Sequence, residues 1–390
     1  MKVYLVNSVC GVGSTGTMVS QMVRLLRENA DQGRVGFGIG KARDVLPAEA
    51  FCFNHKLGYF GHNLLSRFTD HAGWYSSAQT RRLIRDMEKF QPDVVHLHNL
   101  HGYYVNYKML FRYLAQWGGK VVWTLHDCWS FTGHCTHYAD CVQWRSGCTN
   151  CPRLREYPVC YTKGDVQGNF VAKKAAFTGV KQLHLVTPCR WLAGEVSRSF
   201  LGDFPVHVIC NGVDGSVFQP QKRNHGDKKQ VLGVANVWSA RKGLKDFCRL
   251  AEILPEEYEI TLVGLTQEQI AQLPGNIRGI LHTQNRQQLA ALYAQADVFV
   301  DPTYEDTYPT THLEAQMCHT PVISYRVGGC EETIQPGCGE TVALGDIHAM
   351  AAAVKKWCEY SGDLPVDRQA LEQKRCCREY YDLYRHLTGK

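Results

Sequence analysis

The sequence predicts an α/β protein of two doubly wound, Rossmann-like domains facing a central cleft. Three observations carry that expectation. The chain has 390 residues, more than one hydrophobic core usually organises, so two domains of ordinary size are expected. Short apolar runs alternate with amphipathic stretches of helical period, the grammar of a parallel sheet with helices on both faces. One polar stretch, QPQKRNHGDKKQ (Gln219 to Gln230), breaks that alternation and reads as a linker.

Taken in order, KVYLVNSV (Lys2 to Val9) reads as a buried strand, GVGSTG (Gly11 to Gly16) as a glycine turn, and the next stretch as an amphipathic helix through about Glu28. Further strands are expected at RVGFGIG (Arg34 to Gly40), DVVHLHN (Asp93 to Asn99), KVVWTLHD (Lys120 to Asp127), HLVTP (His184 to Pro188) and HVICNGVD (His207 to Asp214). Past the linker the pattern resumes with VLGVAN (Val231 to Asn236), EITLVG (Glu259 to Gly264), GILH (Gly279 to His282), ADVFVDP (Ala296 to Pro302) and TPVISY (Thr320 to Tyr325). The domains are therefore placed at 1–217, with a cysteine-rich insert at 128–160, and at 218–366. A charged terminal helix, 367–390, carries Tyr380, Tyr381 and Tyr384 and is expected to pack back toward the first domain. Ligands of open parallel sheets bind outside the carboxyl ends of the strands, which points to a cleft between the two domains.

Apolar residues make up 44% of the chain, as in packed globular proteins. No run of eighteen uncharged apolar residues occurs and the start lacks a signal-peptide pattern, so a cytoplasmic protein is expected. The formal charge of +6 is uneven. Residues 1–214 hold roughly 24 Lys and Arg against roughly 15 Asp and Glu, about +9, which leaves about −3 for the rest. A basic half suits an anionic surface, with phospholipid head groups or nucleic acid as candidates and a merely solvated basic face as the alternative.

GVGSTG fits the dinucleotide fingerprint, yet the second strand runs into GIGKAR with no acid before Asp44 to hold a ribose. What survives is physical: backbone N–H groups near Gly13 and Gly16 at a helix start, suited to a phosphate or sugar hydroxyl. In SARKGL (Ser239 to Leu244), Arg241 and Lys242 stand at a helix start, where two cations are unfavourable beside the positive dipole end unless an anion joins them. EDTYPTTHLEA (Glu305 to Ala315) sets Asp306 on a proline loop and Glu314 a turn into the next helix, so that both carboxylates can face one ligand.

That last segment, continued through DTYPTTHLEAQMCHTPVISYRVGG (Asp306 to Gly329), together with NGVD (Asn211 to Asp214), resembles the retaining GT-B glycosyltransferases of the "group 1" type over almost the whole chain. The resemblance implies that Glu314 binds ribose hydroxyls and Asp306 contacts the transferred sugar. Tyr308 to Thr310 would offer backbone groups, Lys242 would stabilise the diphosphate leaving group, and His126 would touch the donor sugar. It implies no divalent ion and no other cofactor for catalysis. Two departures stand out: the family's first acid is usually Glu where this chain has Asp306, and its arginine six residues before the lysine is Asn236 here.

Between His126 and Pro152, Cys135, Cys141, Cys148 and Cys151 are spaced with five, six and two residues between them. A closing C-x2-C with two thiols upstream suits a tetrahedral structural zinc, for which His134 or His137 could replace a thiol; reduced packing thiols and a redox pair are the alternatives. The insert resembles one in capsule and exopolysaccharide transferases of the colanic-acid type. HLHNLHGYY (His96 to Tyr104) reads as a polar wall rather than a metal site, since no acid accompanies its histidines.

The resemblance thus implies transfer of a sugar from a UDP- or GDP-sugar to a saccharide acceptor, lipid-linked and at the inner-membrane surface, in assembly of capsule, exopolysaccharide or lipopolysaccharide, with no nucleic acid as partner. A nucleotide-sugar 2-epimerase and an inactive, zinc-organised sugar-nucleotide-binding protein are the alternative readings.

Overall fold

The computed structural model describes residues 1–223 and 226–390; Asn224 and His225, inside the expected linker, lie outside the described residues. The chain forms two compact units, Met1–Cys210 with Cys376–Lys390, and Asn211–Arg375.

The first unit holds a seven-stranded sheet of order β3-β2-β1-β4-β5-β6-β7. Its strands are β1 (Lys2–Asn7), β2 (Gln32–Phe37), β3 (Ala50–Cys52), β4 (Val94–Leu97), β5 (Lys120–Thr124), β6 (Leu183–Thr187) and β7 (Val206–Val208). Every pairing is parallel, with Leu5 opposite both Val35 and His96. Strands buried on both faces explain the continuous apolar text: Val3, Tyr4, Leu5 and Val6 show no exposed surface. The second unit has a six-stranded sheet of order β10-β9-β8-β11-β12-β13, also parallel throughout. It comprises β8 (Lys229–Val234), β9 (Tyr258–Val263), β10 (Ile277–Ile280), β11 (Val298–Asp301), β12 (Val322–Tyr325) and β13 (Gly339–Val342). Both orders are doubly wound, the architecture read from the alternation of elements.

Strands β3 and β13 were not anticipated. Both are short edge strands; AFC carries no alternation to read, and GETV is largely polar.

The division at 210/211 differs from the 217/218 boundary expected from the linker. Backbone pairing is the reason: Val213 N–H donates to Leu371 O at 2.9 Å, and Gln373 N–H returns to Val213 O at 2.9 Å. NGVD is thereby tied into the second unit, and the expected strand His207 to Asp214 shrinks to β7.

The helix Gln373–Thr388 contributes Cys376, Cys377, Tyr380, Tyr381 and Tyr384 to the core of the first unit, beside Val3, Val19, Val94 and Val122. Positions 377, 380, 381 and 384 follow helical period, so one face is buried. Its two deepest hydroxyls find partners, Tyr384 at His96 Nδ1 (2.5 Å) and Tyr380 at Thr124 Oγ1 (2.9 Å). Among the described residues no helix is long and apolar enough to cross a membrane.

Candidate functional site

In the second unit Arg241, Lys242 and Asp306, three of the sequence-predicted residues, meet beyond the carboxyl end of β11. A 3-10 turn, Ala240–Lys242, precedes the helix Leu244–Ile253, and Gly243 joins them at φ 71°. A Cβ at Gly243 would lie 2.1 Å from Pro302 O, so only glycine lets this turn press onto the end of β11. Tyr304 N–H donates to Arg241 O at 2.8 Å and completes the junction.

Lys242 Nζ stands 2.8 Å from Asp306 Oδ2 and 3.7 Å from Asp301 Oδ2, and Arg241 Nη1 is 3.6 Å from Asp306 Oδ2. Arg241 also donates to Glu305 O. Burial opposes the charge on Lys242, but the carboxylates of Asp301 and Asp306 outweigh it and hold its pKa above the ordinary value. Asp301 is likewise disfavoured by burial and returned below its ordinary value by Lys242 and by His312, whose Nε2 lies 3.2 Å away. Thr333 Oγ1 holds the other ring nitrogen of His312 at 2.7 Å.

The Asp306 loop is fixed from beneath. Its Oδ1 accepts from Tyr308 N–H at 3.2 Å, and Gly329 N–H donates to Asp306 O at 3.2 Å. A Cβ at Gly328, φ 52°, would come within 1.9 Å of Asp306 O, which accounts for a glycine at the end of the motif. Thr310 opens the helix Thr310–Met317 without a side-chain cap, so its first amides have no side-chain partner from the N-cap. Glu314, in that helix, accepts from Tyr293 OH at 3.1 Å. Burial raises its pKa to about 7, against the lowering effects of Tyr293 and Arg286.

Asp301 and His312 were not singled out from the sequence. The signal was present: Asp301 ends an otherwise apolar strand, and His312 sits inside the motif. Asn236, at the position of the family arginine, is exposed.

In the first unit His126 follows β5, with Nε2 3.1 Å from His98 Nδ1 and the two rings stacked at 5.4 Å. Burial lowers its pKa to about 4, with Asp127 opposing and His101 adding to the shift. Asp127 is lowered to about 2: burial acts against it, but His101, at 2.8 Å, prevails. His96 and His98, also desolvated, are held well below their ordinary values, so these two imidazoles are neutral hydrogen-bonding groups. Gly13 begins the helix Gly13–Glu28, which has neither a side-chain cap nor an acid in its first turn, and Gly16 packs in that turn against Val9.

Cys135, Cys141, Cys148 and Cys151 line one small pocket together with His134, Tyr138 and Trp144. Cys148 Sγ accepts from Gly133 N–H at 3.2 Å, and the buried Lys173 donates to Trp129 O and Thr132 O at 2.7 and 3.0 Å. His134 shares its Nδ1 with Asp70, while its buried Nε2 has no partner. Cys135, Cys141, Cys148 and Cys151 are thiols, and among the described residues no three His, Cys, Asp or Glu side chains are set to hold a metal ion.

Residues 228–359 match the family Glycosyl transferases group 1, and residues 48–217 match Glycosyltransferase Family 4. Among individual relatives, WcaC of Escherichia coli (strain K12), a glycosyl transferase named for colanic acid biosynthesis, is 27% identical over 270 residues, 66% of this chain and 65% of WcaC. The D-inositol 3-phosphate glycosyltransferase of Arthrobacter sp. (strain FB24) is 42% identical over 197 residues, 44% of this chain and 45% of that one. The chain thus spans just under two thirds of the first relative and less than half of the second. Its fold is that of sucrose-phosphate synthase from Thermosynechococcus elongatus (TM-score 0.67, 16% identity, 100% of this chain and 99% of that one) and of Anabaena HepE in complex with UDP (0.65, 13%, 98% and 99%). Each unit is thus matched by a glycosyltransferase family model, Glycosyl transferases group 1 in the second and Glycosyltransferase Family 4 in the first, and the chain shares the two-sheet GT-B fold of solved glycosyltransferases.

Proposed function

We propose that the chain is a retaining glycosyltransferase that uses no divalent ion and moves a sugar from a UDP- or GDP-sugar onto a lipid-linked saccharide acceptor in bacterial surface polysaccharide assembly. The observation that carries this reading is the cluster of Lys242, Arg241, Asp306 and Asp301 at the end of β11. A diphosphate arriving there would take Lys242 and Arg241 from Asp306, leaving that carboxylate to hydrogen-bond a sugar hydroxyl. Charge building on the departing phosphate meets cations already in place, an arrangement worth several kcal/mol, on the order of 3, per well-aimed donor. Glu314 is the ribose ligand in this reading and His126, neutral at pH 7, a donor to the sugar. The relationship to WcaC supports the polysaccharide context.

Turnover of UDP- and GDP-sugars by the purified protein, compared with Lys242→Ala and Glu314→Ala, tests the proposal. Transfer or donor hydrolysis by the wild type, lost in both variants, is expected. Equal silence of all three across the panel would hand the case to a binding protein, and a free epimer formed without acceptor would hand it to a 2-epimerase. Retention is read from the anomeric configuration of the product, and metal independence from activity in chelator.

The cysteine pocket belongs to the same proposal as a structural zinc site. It rests on the donor set rather than on a formed shell: four thiols and the unpartnered Nε2 of His134, with Asp70 orienting that ring from behind. About one zinc per chain is expected in protein purified without chelator, and a folded protein with none overturns it.

A further inference from the structure

The helix Lys56–Thr69 is folded inside out. Its buried residues are His62 and Ser66, whereas Leu57 (81% exposed), Phe60 (62%), Leu64 (59%), Leu65 (49%) and Phe68 (56%) face outward. At 3.6 residues per turn the five large apolar side chains fall within one arc of roughly 140°. The polar pair performs the anchoring that apolar residues usually perform. His62 Nδ1 meets Ser76 Oγ at 2.7 Å, its Nε2 accepts from Gly73 N–H at 3.0 Å, and Ser66 Oγ donates to His62 O at 2.7 Å. Folding therefore leaves about half or more of each outward Leu and Phe residue in solvent, and a contiguous exposed apolar face of this kind marks an interaction surface.

The surface continues into the segment after the cysteine insert. Tyr161, 44% exposed, lies 6.2 Å from the Phe68 ring and accepts from Arg67 Nη1 at 2.9 Å, with the Arg155 guanidinium 5.4 Å from its own ring. Charge identifies the partner. No acidic residue occurs between Glu49 and Asp70, while Arg67 and Arg155 lie against Tyr161, Lys56 directly precedes Leu57 in the helix and Lys163 follows two residues after Tyr161. We propose that this face docks on an anionic phospholipid bilayer, the helix lying in the plane of the interface with its five apolar side chains at the acyl boundary and the four cations at the phosphates. At about 21 Å the helix is too short to span a membrane. A second copy of the chain is a poorer occupant, since two-fold pairing would bring the same basic margins together.

The test is flotation of the full chain with vesicles of phosphatidylcholine alone or with about a third phosphatidylglycerol. Wild type is expected to partition roughly tenfold better onto the anionic vesicles, and less so in high salt. Leu64→Ser with Phe68→Ser should lower that binding about tenfold with an unchanged melting temperature, because both side chains are already exposed. Lys56→Glu with Lys163→Glu should erase the preference for anionic lipid. Absence of wild-type binding to either vesicle, or full binding by the serine variant, overturns the proposal. So does a wild-type dimer that the serine variant makes monomeric without any vesicle binding. No donor or acceptor enters the readout, so this inference and the glycosyl-transfer reading fail separately.

Discussion

Lys242 Nζ donates to Asp306 Oδ2 at 2.8 Å, so the cation expected on a leaving phosphate and the acid expected on a sugar are partners in this structure. With Asp301 3.7 Å away and 5% exposed, the ammonium compensates two carboxylates at once. A ligand that separates Lys242 from Asp306 must supply negative charge of its own, which a diphosphate does.

Lys242→Met is therefore expected to act twice. Loss of a leaving-group donor should lower kcat by about 10²–10³. Leaving the enclosed carboxylate of Asp301 without its cation should also cost on the order of 2–3 kcal/mol of stability, read as a lower melting temperature. Asp301→Asn combined with Lys242→Met should recover much of the stability and none of the rate.

Glu314 supplies a pH dependence with a definite sign. Its pKa of about 7 lies above the ordinary carboxyl value because of burial, so between pH 4.5 and 7 the folded chain holds a proton that the unfolded chain releases. Its contribution to stability should fall as pH rises through that window and level off above it. Nucleotide affinity should move the opposite way, strengthening toward pH 7 as the carboxylate forms. Thermal melts and nucleotide titrations from pH 4.5 to 8 check both, and Glu314→Gln should flatten both.

His126, with its pKa near 4, is expected to contribute no titration to the rate profile above about pH 5. His126→Ala should lower kcat while leaving the unfolding free energy within about 1 kcal/mol of wild type, and His126→Asn should restore part of the rate through its amide donor. An inflection near pH 6 that vanishes in His126→Ala would contradict this.

Tyr384→Phe tests the terminal helix. The hydroxyl meets His96 Nδ1 at 2.5 Å in a site with 1% exposure at Tyr384 and none at His96. Its removal should cost about 1–3 kcal/mol, the penalty for a buried imidazole nitrogen left unpaired, measurable in denaturant melts.

The architecture was legible because doubly wound strands are buried on both faces and advertise themselves as apolar runs, as VYLV and VFV do here. Edge strands such as GETV, half solvated, carry no such mark. The boundary at 210/211 was illegible for another reason: Val213 pairs with Leu371 and Gln373, a backbone contact between segments far apart in the chain. In the candidate site the two cations and the two acids could be picked out of local text. Asp301 and His312 could not be assigned a part, because a strand-end acid and a helical histidine acquire meaning only when Lys242 arrives beside them.

By itself, then, the sequence determined two parallel α/β units, a glycine turn before the first helix, a basic first half and the acid-bearing motif at 306–314. Tertiary structure alone decided that Lys242 meets Asp306 across 64 residues, that the terminal helix fills the first core, and that an apolar helix face at 57–68 points outward. Hydrophobic period and turn chemistry act over a few neighbouring residues and so are written locally. Which side chains finally touch depends on strand register and packing, which the whole chain settles together.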